Sequence, residues 1–138
     1  MKSATITVTT TVNSDLDTVW RAWNNPDDIR QWNTASADWH TTAASVDLRV
    51  GGMFSSRMEA KDGSTGFDFA GIYTRVVPRE VIEYEMTDGR AVNIQFQSNG
   101  DSVTVTETFD PDSVYDPELQ RAGWQSILDN FARHVEAK

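Results

Sequence analysis

Between Met53 and Phe109 the chain alternates apolar and polar residues with a period of two, in five segments each cut short by a turn signal. The segments are Met53–Ala60, Phe67–Val77, Val81–Thr87, Ala91–Gln97 and Val103–Phe109, with a shorter strand, Ser45–Leu48, expected before the Gly51-Gly52 bend. The cuts fall at Lys61–Gly63, Pro78-Arg79, Asp88–Gly89 and Asn99–Gly100, and the Asp-Gly and Asn-Gly pairs tolerate the positive φ that tight hairpins need. Loops this short leave only antiparallel neighbours, so the run predicts a meander with one apolar face. The period then changes. Leu119, Trp124, Ile127, Leu128, Phe131 and Val135 fall on one side of a helix from about Pro117 to Val135, capped by Asp116. At 1.5 Å per residue that helix is roughly 30 Å long, enough to cross a sheet. A one-faced sheet and a one-striped helix each need the other, which predicts an α+β fold with the curved sheet wrapped around the last helix.

The N-terminal third completes the pattern. Ala4–Val12 alternates Ile6, Val8 and Val12 against threonines, as a half-buried strand does. Ser14 is the expected cap of a first helix, with Leu16, Val19, Trp20 and Trp23 as its apolar stripe. Asn25-Pro26 restarts a second short helix that carries Ile29 and Trp32. A length of 138 residues with no linker or repeat reads as one domain over 1–138.

Composition narrows the partners. Twenty-one acidic against 12 basic residues give a net charge of −9, which repels phosphate backbones and anionic headgroups, so neither nucleic acid nor a membrane is expected. No apolar run reaches the ~20 residues of a membrane span, and the N-terminus lacks the apolar core of a signal peptide. With no cysteine either, the expectation is a cytoplasmic protein, with a monomer and a homodimer both open.

Catalytic chemistry is sparse. Thiolate metal sites and Cys nucleophiles are excluded, and no P-loop, paired-histidine or nucleophile-elbow string occurs. His134 is expected at the surface in the last helical turn, and His40 in a loop beside Trp39. "DPDSVYDPE" lacks calcium-loop spacing and reads as a capped connection. The expectation is no catalytic set, no metal and no cofactor.

The stretches "VWRAWNNPDDIRQW", "VDLRVGGMFSSRM", "GIYTRVVPREVIEYEM" and "GWQSILDNF", in this order and spacing, resemble the helix-grip (START-like, SRPBCC) superfamily. The branch they are most similar to is the C-terminal domain of activators of the heat-shock-protein-90 ATPase. The resemblance covers essentially the whole chain and implies a helix-grip fold with two short helices after the first strand. It also implies contact with a chaperone of that type, although the separate N-terminal domain of full co-chaperones has no counterpart here.

Together with this resemblance, the alternation predicts an apolar cavity between sheet and helix, with the two short helices as its lid. Its expected lining is Trp32, Phe54, Met58, Phe69, Tyr84, Met86, Ile94, Phe96, Trp124, Leu128 and Phe131. The competing reading returns these residues to a packed core. Trp20 and Trp23 are expected to be core, with Trp32 and Trp39 near the rim. Glu107 breaks the inward pattern of its strand: it either pairs with an arginine or reaches solvent at the strand end, or it serves as a polar anchor on the cavity floor, near Tyr73 and Tyr84. Three functions follow: binding of a small apolar molecule, favoured; a chaperone-interacting module; and a cyclase- or hydrolase-like enzyme using Glu107, disfavoured by the sparse chemistry.

Overall fold

A computed structural model describes residues 5–34 and 36–138. The chain opens with strand β1 (Ile6–Val12), then helices α1 (Leu16–Asn24) and α2 (Pro26–Trp32). Six strands follow: β2 (Trp39–Val46), β3 (Met53–Ala60), β4 (Gly66–Val77), β5 (Val81–Met86), β6 (Ala91–Ser98) and β7 (Val103–Phe109). Helix α3 (Pro117–Glu136) ends the chain. The strands form one antiparallel sheet in the order β1-β7-β6-β5-β4-β3-β2, a meander whose last strand returns beside the first. This is the helix-grip architecture. Ala4, expected to open the first strand, lies outside the described residues.

Local chemistry explains the element ends. Gly63, Gly89 and Gly100 sit at φ 78°, 90° and 93° in three of the hairpin turns, where a side chain would be strained. Asn25 accepts from the Asp27 and Asp28 amides, and Pro26 occupies the first turn of α2, so the chain restarts a helix at a new angle. Asp116 does the same for α3, ahead of Pro117. The cap of α1 is Asp15, not Ser14: the Ser14 amide donates back to the Val12 carbonyl, so the chain is still turning there.

Two further expectations are corrected. β2 begins at Trp39 rather than Ser45 and ends before Leu48, so Trp39 and His40 are strand residues. Its register slips between Thr41 and Ala43, and that bulge breaks the alternation by which the strand would have been seen. Leu119 is 65% exposed, because the stripe of α3 meets the sheet only from Trp124 onward.

The core lies on the concave face, where Val12, Val19, Ile94, Val105, Phe109, Leu128 and Phe131 are buried. α3 also covers the sheet edge. Arg121 and Gln125 donate to the Thr7 and Thr9 carbonyls of β1 at 2.8 and 2.9 Å, occupying acceptors an edge strand would otherwise offer to another chain. Among the described residues no helix is long and apolar enough to cross a membrane.

Candidate functional site

A cavity of about 430 Å³ opens between the sheet, the two short helices and α3. Its floor is the concave face of four strands: Phe54, Ser56 and Met58 of β3, Phe67, Phe69 and Tyr73 of β4, Ile82 and Tyr84 of β5, and Glu107 of β7. Trp124 and Ile127 of α3 form one wall. Trp23, Ile29 and Trp32 close it from above, with Asn33 and Ser36 after α2 and Trp39, Ser45 and Val46 of β2. Ser36, Ser45 and Phe67 are the exposed members of this set and mark the side toward solvent.

Of the residues that the sequence places in this cavity, Trp32, Phe54, Met58, Phe69, Tyr84, Glu107 and Trp124 line it. Met86, Ile94, Phe96, Leu128 and Phe131 do not; they belong to the packed core. The reason is that the two helices fill part of the concave face. Trp20 and Trp23 set their rings against Phe96 at 5.3 and 5.7 Å, and Trp23 and Trp32 each meet Phe131 at 4.9 Å. Trp20 is core as expected, whereas Trp23, expected there too, also forms part of the cavity wall. Ser56 was the least visible member. It shares the face of Phe54 and Met58 by period two, but its hydroxyl hides it among polar residues.

Several constraints shape the cavity. The Trp32 indole N–H donates to the Ala22 carbonyl at 3.0 Å, which fixes the ring that seals α2 against α1. Gly71 allows the Phe54 ring to approach β4 closely: a Cβ there would stand 2.8 Å from the Phe54 ring and 2.9 Å from the Glu85 carbonyl. Trp124 stacks on Phe109, with centroids 3.9 Å apart and planes 10° off parallel, and meets Phe69 edge-on.

Glu107 is the chemical exception in this apolar surface. It is 5% exposed, and its register neighbours are Val8 and Ile94. Among the described residues nothing hydrogen-bonds or ion-pairs with its carboxyl, so the expected arginine partner is absent, and the side chain does not run out to the surface. The Tyr84 hydroxyl is likewise without a hydrogen bond among the described residues. Neither group is sealed against packed atoms, so both oxygens look into the cavity. Burial pushes the Glu107 carboxyl up to about 8, leaving it largely protonated at neutral pH. Burial also lifts the Tyr84 phenol well above its usual range, with the nearby Glu107 adding to the effect, and lifts Tyr73 to about 12.

His134 is not a free surface residue. Its ring Nε2 lies 2.7 Å from Asp28 of α2, and Lys138 reaches the same carboxylate at 2.8 Å. Burial opposes the Asp28 charge, but the hydrogen bonds from Lys138 and His134 outweigh it and hold the carboxyl below its usual value.

A family model described as activator of Hsp90 ATPase homolog 1-like protein (AHSA1) matches residues 13–136. The chain belongs to the AHSA1-like family. The solution structure of the AHSA1-like protein from Aeromonas hydrophila is 50% identical and superposes with a TM-score of 0.91, covering 97% of this chain and 93% of that one. Chr148 from Cytophaga hutchinsonii is 45% identical with a TM-score of 0.83, over 96% of this chain and 92% of that one. CV1439 from Chromobacterium violaceum, at 23% identity, 97% and 99% coverage and a TM-score of 0.86, shares the fold. The curated proteins contain no match.

Proposed function

We propose that this AHSA1-like protein binds a small, largely apolar molecule in the cavity beneath its two short helices. The observation that carries the reading is the pairing of an apolar, aromatic-rich space of about 430 Å³ with a buried carboxyl that no group among the described residues satisfies. That volume lies within the usual range for small-molecule sites, and such sites are apolar with a few placed polar groups. A packed core would have no reason to retain Glu107, since burying a polar group without a partner costs about 1–3 kcal/mol. A ligand that engages it supplies the partner that the described residues do not.

The test uses Nile red, a neutral apolar fluorophore. It should bind the native protein one to one with a blue-shifted emission and quench tryptophan fluorescence. Ser56→Leu, which projects into the cavity, should weaken it tenfold or more, and Glu85→Ala on the exposed face should change it less than twofold. Equal effects of the two substitutions, or no binding, would overturn the reading.

The family supports a second reading, contact with an Hsp90-type chaperone. Met53 and Ile72 are register partners on the outer face, 56% and 46% exposed, and Val50 beside the Gly51-Gly52 bend is 63% exposed. Such a patch suits a protein contact. Stimulation of a purified Hsp90 ATPase by the wild type, lost in Ile72→Lys, would support it; no stimulation would remove it.

A further inference from the structure

Resting on the ligand-binding reading, we infer that the cavity selects a hydrophobic amine, held as its ammonium form by the Glu107 carboxylate among aromatic rings. Three independent features converge on a cation. The first is the lining: among the described residues Glu107 is its only carboxyl, and it contains no lysine, arginine or histidine. A carboxylate or phosphate headgroup would therefore meet no countercharge, only neutral donors, the protonated Glu107 carboxyl among them. An ammonium group supplies both the missing charge and the missing hydrogen-bond donors.

The second feature is the rings. Nine aromatic residues line the space, four of them tryptophans, and an aromatic face attracts a cation through the negative side of its ring quadrupole. Trp124 stands on the α3 wall and Tyr84 on the floor, so rings are present on more than one side. The third is the field of the molecule. A net charge of −9 concentrates cations around the protein and depletes anions.

The surroundings of Glu107 define how binding couples to protons. β1 and β6 present Val8 and Ile94 at its register positions, and Tyr84 of β5, which also feels Arg90, is the titratable group that interacts with it; Tyr73, Trp124 and Ile127 line the same cavity. The tyrosines stay neutral through pH 9, so Glu107 is the one lining group that titrates between pH 6 and 9. In the free protein the carboxyl carries its proton at neutral pH. When an ammonium enters, that proton leaves to solvent and the carboxylate pairs with the ligand. Binding therefore tightens as pH rises toward about 8, whereas a neutral ligand hydrogen-bonded by the protonated carboxyl weakens as pH passes that value.

Calorimetric titration with 4-phenylbutylamine, 4-phenylbutan-1-ol and 4-phenylbutanoate separates the cases on one carbon skeleton. At pH 7.5 the amine should bind at least tenfold tighter than the alcohol, and the butanoate should not bind measurably. The amine's affinity should rise by up to about tenfold per pH unit between 6 and 8, with a proton released on binding. In Glu107→Gln the amine's advantage over the alcohol should shrink to within threefold. An alcohol that binds as tightly as the amine, a butanoate that competes with it, or a flat pH profile on the wild type would overturn the amine assignment while Nile red binding still upholds the apolar-ligand reading. Failure of Nile red and all three phenylbutyl compounds would overturn both.

Discussion

Glu107 shares its strand face with Val103, Val105 and Phe109, and one buried carboxyl on that face ties stability to pH. Folded, it keeps its proton to about pH 8; unfolded, it loses it near 4.5. A raised carboxyl pKa means the unfolded chain binds fewer protons, so stability falls as pH rises from about 4.5 to about 8 and then levels. The loss should be about 3–5 kcal/mol. Urea denaturation at pH 5, 7 and 9 should show that slope in the wild type and a flatter one in Glu107→Gln; parallel curves would mean the carboxyl is hydrated in the folded state. Gly71 makes a second claim at this scale. Gly71→Ala puts a methyl 2.8 Å from the Phe54 ring and 2.9 Å from a backbone carbonyl that cannot retreat. The expected cost is about 1–3 kcal/mol by the same denaturation, with Phe54 driven toward the cavity. At this scale the sequence was readable as far as period two reaches. Alternation assigned Glu107, Phe54, Met58 and Tyr84 to one face, but it assigned Ile94, Phe96 and Met86 to that face as well. What separates cavity from core is which stretch of the face α1 and α3 cover, and no local pattern carries that.

The two short helices stay over the cavity because three polar contacts pin them and the segment after them. Asp28 of α2 takes His134 and Lys138 from the end of α3, the Thr34 carbonyl accepts from Asn130, and the Asn33 carbonyl accepts from Thr41 of β2. Asp28→Asn should weaken the first contact and cost about 1–2 kcal/mol, the range for a partly exposed charged hydrogen bond. The depressed Asp28 pKa fixes the pH window: this contribution is present above the usual aspartate value near 3.8 and vanishes as pH falls through the lower folded value. Hydrogen exchange over residues 26–34 should quicken in the variant, and Nile red should enter and leave faster; unchanged exchange there would show that packing alone holds the lid. α3 makes the complementary contribution. Trp124 is half-buried and stacked on Phe109, so Trp124→Ala should cost about 2–3 kcal/mol rather than the ~3–5 of a fully enclosed aromatic. The helices and most strands were legible because their periods are long and their caps conventional. β2 was not, because its bulge breaks the alternation, and the role of His134 was not, because its partner lies 106 positions away.

Over the whole molecule, stability and the cavity pull in opposite directions. A chain of 138 residues has enough apolar side chains to close its core, and it does so around Leu128, Phe131 and Ile94, yet leaves about 430 Å³ unfilled beside them. Unfilled apolar space forfeits dispersion contacts, so filling it should stabilise the free protein. Ser56 is the site to fill: it is 4% exposed, lies on the floor between Phe54 and Met58, and directs its side chain into the open volume. Ser56→Leu should raise the stability of the free protein by about 1–2 kcal/mol through the apolar surface it buries. A ligand at one hundred times its Kd stabilises the native state by about 2.7 kcal/mol, which for a chain of this size is a rise in Tm of roughly 10 °C. Wild-type protein should show that rise with 4-phenylbutylamine or Nile red, and Ser56→Leu should start from a higher Tm and, at the same ligand concentration, gain about half as much or less. The crossing of the two responses is the informative outcome, because a variant that is merely damaged starts lower, and one that leaves the cavity open gains as much as the wild type. If Ser56→Leu lowers the Tm of the free protein, the space around Ser56 is already occupied by packed atoms, and the sheet grips its helix without leaving room for anything else.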